Sequence, residues 1–162
     1  MTYRWTRIID SFGSSQADEA AFTELPNGDD LEMGTFVKDG TPTAYEEVWR
    51  DITQDFGNAN DSAAWILQSS DGLSFLGRIG GIYMGLHQGQ DGTFAVRKEV
   101  YDEDAEGCWR NVYESGPTQH IPSARDVLQE ESLIRGAALG DIVPTAGGKY
   151  AVRGLHSPVV AT

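Results

Sequence analysis

Basic residues are scarce. Twelve Lys and Arg stand against 25 Asp and Glu, a net charge of −13. Such a surface repels a phosphate backbone, so no nucleic-acid partner is expected. An anionic membrane leaflet repels it too, and no membrane partner is expected. Cysteine is nearly absent: Cys108 alone cannot close an intramolecular disulfide, and acidic Glu106 beside it makes it a poor nucleophile. No run of about 18 apolar residues exists to span a membrane. Met1-Thr2-Tyr3-Arg4-Trp5 lacks the apolar stretch of a signal peptide, so the expected compartment is cytoplasmic. Asn60-Asp61-Ser62 fits a glycosylation acceptor, but without a secretory signal it is expected to stay unmodified.

Standard chemical motifs are missing as well. The glycine-rich stretch from Gly77 to Gly85 matches neither G-x-G-x-x-G nor a P-loop. No G-x-S-x-G elbow is present for a serine hydrolase. His87, His120 and His156 are scattered without metal-ligand spacing. No cofactor and no metal are expected. Six acidic residues (Asp18, Glu19, Glu24, Asp29, Asp30 and Glu32) lack the order of a calcium loop and read as a solvated acidic face.

What is present is one domain's worth of chain. With 162 residues, 40% of them apolar, 23% charged, and 19 glycines against six prolines, the sequence is globular. Residues 1–40 read as a loop-rich wrapping segment, with a short strand from Trp5 to Ile9. From Tyr45 onward strand signals dominate. Tyr45, Glu47, Trp49 and Asp51 alternate with Glu46, Val48, Arg50 and Ile52 on two faces of an extended segment. Ala64 to Gln68 is a short apolar run that ends at a turn signal, Ser69-Ser70-Asp71-Gly72. Leu73 to Gln88 is too glycine-rich for a helix and reads as one long bent strand bulged at Gly80-Gly81, with a tight hairpin there as the alternative. Asp91-Gly92 marks another turn. Thr93 to Tyr101 and Trp109 to Glu114 read as strands on either side of a polar turn at 102–107. Ser123-x-x-Asp126 caps one short helix to about Glu131, and Asp141 to Arg153 closes as a hairpin. Short strands at this spacing mean a barrel or a sandwich.

The ionisable and aromatic residues on these strands form the candidate site. Tyr83 and His87 fall on one side of their strand with Gly81 and Gly85, whose missing side chains leave empty volume. Glu47 and Arg78 complete a polar group, and a carboxylate or imidazole buried there can move a proton. These four are the candidate catalytic residues. Trp49, Trp65, Tyr45, Met84, Trp109 and Tyr113 are the candidate walls of a site for an apolar ligand. Trp49 is expected to be largely buried. The plain alternative for each aromatic is core packing.

Several stretches together resemble a known family. They are Tyr45-Glu46-Glu47-Val48-Trp49-Arg50-Asp51, Trp65-Ile66-Leu67-Gln68 with Gly72-Leu73 and Arg78-Ile79-Gly80, then Trp109-Arg110, Ile121-Pro122 and Gly140-Asp141-x-Val143. In order and spacing the chain is similar to the fungal family named for its yeast casein-kinase-I-interacting member. The resemblance covers about residues 5 to 155 and corresponds to the second of that member's two barrels. It implies an all-β, antiparallel calycin or lipocalin-like β-barrel with one short helix. The chain is then one domain over 1–162, with its barrel core at 45–155. Ile82 and Met84 depart from the Trp and Gln of relatives. The family supplies no catalytic motif. Stand-alone calycin-like fungal proteins imply a cofactor-free isomerase or cyclase in secondary-metabolite (polyketide or terpenoid) biosynthesis, acting on a hydrophobic small-molecule ligand or substrate. The alternative is a non-catalytic ligand carrier or a protein-binding adaptor module. A homodimer is compatible with either.

Overall fold

The computed structural model describes residues 2–6, 8–10, 17–50, 63–102 and 108–156. Asp51, the Asn60 acceptor and the turn residues 103–107 lie outside them. Strand accounts for 59% of the described residues and helix for 11%, so the all-β class holds. The chain divides into two compact units, Met1–Asp55 and Phe56–Thr162.

The first unit is a four-stranded antiparallel sheet in sequence order: β1 (Thr2–Trp5), β2 (Asp18–Glu24), β3 (Asp30–Lys38) and β4 (Thr41–Trp49). Residues 1–40, read as loop-rich from sequence, thus carry three strands. The signal that reveals them is Asp39-Gly40. Both residues have positive φ, 51° and 77°, as a two-residue type I′ hairpin requires. At the other end of β3, Gly28 donates to the Leu25 carbonyl at 2.9 Å and closes the β2–β3 turn. Asp29 there accepts two hydrogen bonds from Arg50, each 2.9 Å, and the guanidinium holds its carboxyl below the usual carboxylate range.

The second unit is a seven-stranded antiparallel sheet. In chain order its strands are β5 (Ala64–Ser69), β6 (Ser74–Ile79), β7 (Ile82–Gln88), β8 (Phe94–Asp102), β9 (Cys108–Ser115), β10 (Ile142–Thr145) and β11 (Gly148–His156). Their spatial order is β10-β11-β5-β6-β7-β8-β9. The bulged long strand expected over Leu73–Gln88 is instead β6, a tight hairpin at Gly80-Gly81, and β7. Gly80 has φ 52°, its N–H donates to the Ala63 carbonyl at 2.9 Å, and its own carbonyl accepts from Arg78. Bulges do occur, between Lys98 and Glu99 and between Val152 and Gly154.

Neither sheet closes into the expected barrel. Strands β9 and β10 are the two edges of the larger sheet, and no ladder joins them among the described residues. The segment connecting them is helical: a 3-10 turn (Thr118–His120), α1 (Ala124–Leu128) and α2 (Glu131–Gly136). Ser123 caps α1 as expected, accepting from the Asp126 N–H. Ile121, Val127 and Ile134 from this segment pack on Trp65, Leu67, Leu76, Tyr83, Ala95, Val143, Tyr150 and Val152 of the sheet. The inner face is thus covered by helix, and burial that closure would have supplied comes from this layer.

Candidate functional site

The β6–β7 register sets Arg78 directly opposite Tyr83 and Ser74 opposite His87. Directly opposed residues share a face, so Arg78, Tyr83 and His87 lie on one side of the sheet, without Glu47. Trp65 is opposite Arg78 on the β5 side and joins them.

Packing and pairing occupy these groups. Arg78 is 5% exposed. It pairs with the Glu131 carboxylate of α2, donates to the Gly80 carbonyl at 2.8 Å, and lies 5.5 Å from the Trp109 ring centroid. The Trp65 indole donates to the same Glu131 at 3.2 Å. The Tyr83 hydroxyl donates to the Pro122 carbonyl at 2.8 Å, and burial drives its pKa above the ordinary phenol value. His87 Nδ1 is 2.7 Å from Ser74 Oγ, and its ring is 5.2 Å from that of His120. The empty volume expected over Gly85 is filled: a Cβ there would collide with Ile121 Cγ2. Met84 and Tyr113 do not join this cluster. Both flank Lys98 in the ladder on the opposite face, and Tyr113 is 55% exposed.

Tyr45, Glu47 and Trp49 lie in the first unit, on β4. The register places them on one face with Tyr3 and Trp5 of β1, Ala20, Phe22 and Glu24 of β2, and Asp30, Glu32, Gly34 and Phe36 of β3. Six aromatic side chains therefore share one face of a small sheet. Glu32 organises one half of it. One carboxylate oxygen accepts from the Tyr45 hydroxyl at 2.8 Å, the other from the Trp49 indole at 2.6 Å. Gly34, opposite Tyr45, leaves room for that ring to lie against the β3 backbone. Trp49 is 54% exposed, not buried as expected. It sits on β4, an edge strand, with β3 as its neighbour among the described strands.

In the other half, Phe22 meets Tyr3 and Trp5 with centroids 5.5 and 5.6 Å away, and Tyr3 and Trp5 are 6.1 Å apart. A cleft of about 420 Å³ is lined by Tyr3, Trp5, Phe22, Glu24 and Asp30. Glu32 and Asp29, grouped with a solvated acidic face from sequence, are buried and hydrogen-bonded. The Phe22-x-Glu24 and Glu32-x-Gly34-x-Phe36 alternation carries the period of two that marks them as strand residues. No group of three or more His, Cys, Asp or Glu side chains among the described residues is arranged to hold a metal ion.

A family model described as Protein HRI1 matches residues 1–140. The chain belongs to the HRI1 family. No curated protein and no solved structure matches it. The HRI1 match takes in all four strands of the first unit, β5–β9 and the helical segment, and stops before β10. Both the aromatic face and the Arg78–Tyr83 cluster therefore lie inside the HRI1 region.

Proposed function

We propose that this HRI1-family chain is a non-catalytic binding module for a small molecule, and that the ligand rests on the aromatic face of the four-stranded sheet. The observation that carries this reading is the cleft of about 420 Å³ against Tyr3, Trp5 and Phe22. The cleft is open to solvent, so the ligand rests against the rings and is not enclosed by them. Tyr45 and Trp49, held by one buried carboxylate, extend the surface with little side-chain freedom left to lose on binding. Glu47 borders it.

The isomerase or cyclase reading needs a lumen with ionisable groups free to act. Over Arg78 and Tyr83 the inner face is packed by the helical segment. On this reading Trp65, Arg78, Tyr83 and Trp109 build the core of the second unit.

The test is binding of the neutral fluorescent probe N-phenyl-1-naphthylamine. Trp5→Ala and Phe22→Ala should each weaken it about tenfold, the value of about 1.4 kcal/mol of lost contact. Tyr113→Ala, in the other unit, should bind as the parent. Folded Trp5→Ala and Phe22→Ala proteins with parental binding would overturn the reading. Trp5 is 40% exposed, so its variant is the one least affected by misfolding.

A further inference from the structure

We infer that the cleft against Tyr3, Trp5 and Phe22 binds an organic cation through an alkylated ammonium head. This rests on the aromatic face being the binding surface and names the ligand class for it.

Two independent features of that face converge on a cation. The first is the set of rings. Tyr3 and Phe22 meet at 88°, Trp5 and Phe22 at 63°, and Tyr3 and Trp5 at 29°. Three rings in different planes line one cleft, and an aromatic ring carries negative π-electron density on its face. A methylated ammonium group suits such a surface, since its charge is spread over apolar methyls that are easily stripped of water.

The second feature is charge. Glu24 and Asp30 line the same cleft and are direct partners across the β2–β3 ladder. Glu32 and Glu47 are direct partners across the β3–β4 ladder on the same face. Like charges directly opposite each other weaken a sheet, and here two such pairs sit in neighbouring rows. Among the described strand residues that the register places on this face, Lys38, opposite Thr41, is basic, while Arg50, directly after Trp49, is engaged by Asp29. Lys38 lies at the far end of β3 from Asp30, about 26 Å away along the strand. A cation in the cleft offsets the repulsion between Glu24 and Asp30. A neutral apolar ligand of the same shape does not.

Choline and its uncharged isostere 3,3-dimethylbutan-1-ol separate the two cases. Binding is followed by intrinsic tryptophan fluorescence and by calorimetry, with ligand up to about 10 mM. Choline should bind the parent about tenfold more tightly than the isostere. Glu24→Gln and Asp30→Asn should each weaken choline about three- to fivefold and leave the isostere unchanged. Both changes are near-isosteric on partly solvated strands, so folding is retained; circular dichroism checks this. A third arm uses an uncharged peptide carrying trimethyllysine. Tighter binding of the peptide than of choline identifies a methylated protein as the source of the head group; the reverse identifies a free metabolite. Equal affinity for choline and isostere overturns the inference while the aromatic-face reading stands. Absence of choline binding overturns it too, and N-phenyl-1-naphthylamine binding under the same conditions then shows whether the aromatic-face reading survives. If that probe fails as well, both fall.

Discussion

Glu99 shows how burial and pairing compete at a single side chain. It lies on β8, 5% exposed, and accepts from the Ala124 N–H at 3.2 Å. Burial pushes its carboxyl above the ordinary value of 4.5, and the Ala124 bond and Arg97 oppose the shift without cancelling it. Between the unfolded and the higher folded value, the folded state binds more protons than the unfolded chain. Stability contributed by this group therefore falls as pH rises through that interval. Glu99→Gln keeps an acceptor for Ala124 and removes the ionisation. The variant should be more stable than the parent at neutral pH, and the difference should close below the unfolded value, as read by urea unfolding across pH. A variant less stable than the parent at neutral pH would show that the ion pair to Arg97 outweighs the burial cost.

At the scale of elements, tight hairpins decide which faces meet. In the β6–β7 hairpin, Gly80 sits at φ 52°, with both its N–H and its carbonyl engaged. A left-handed conformation costs an ordinary residue about 1–2 kcal/mol, and Asn much less. Gly80→Val should lower stability by about that amount, and Gly80→Asn by less than about 0.5 kcal/mol. Equal loss in both, measured by thermal unfolding, would mean that space at Gly80 matters and not its backbone angle. This hairpin also explains why Arg78 and Tyr83 face each other despite their odd spacing. In a continuous strand they would point to opposite faces, whereas across a ladder they are partners.

For the molecule as a whole, the charge of −13 is the dominant long-range property. The described ion pairs, such as Arg97–Glu114 and Arg50–Asp29, engage a minority of the 25 acidic residues. Net self-repulsion favours the expanded chain, and salt screens it over a Debye length of about 10 Å at 0.1 M. Sodium chloride raised from about 0.01 to 1 M should therefore raise the thermal midpoint at neutral pH. A midpoint that falls with salt would show that local pairs outweigh the global repulsion.

Local chemistry was enough for much of this protein. Alternation along Tyr45-Glu46-Glu47-Val48-Trp49, the turn at Asp91-Gly92 and the cap at Ser123 each act within a few residues, so strand content, several boundaries and the α1 start are legible in the sequence. The β1–β3 strands are hidden behind a loop-rich reading of residues 1–40 by their many polar residues, since an exposed face needs no apolar run; Asp39-Gly40 and a period of two are the signals that point to them. Other features depend on partners far apart in sequence. Tyr3 and Trp49 share a face only because three successive ladders carry the register across the sheet. The burial of Glu32 needs hydroxyl and indole donors 13 and 17 residues away. Whether the larger sheet closes was decided by where Ile121, Val127 and Ile134 found apolar surface to cover, and that surface exists only once seven strands have paired.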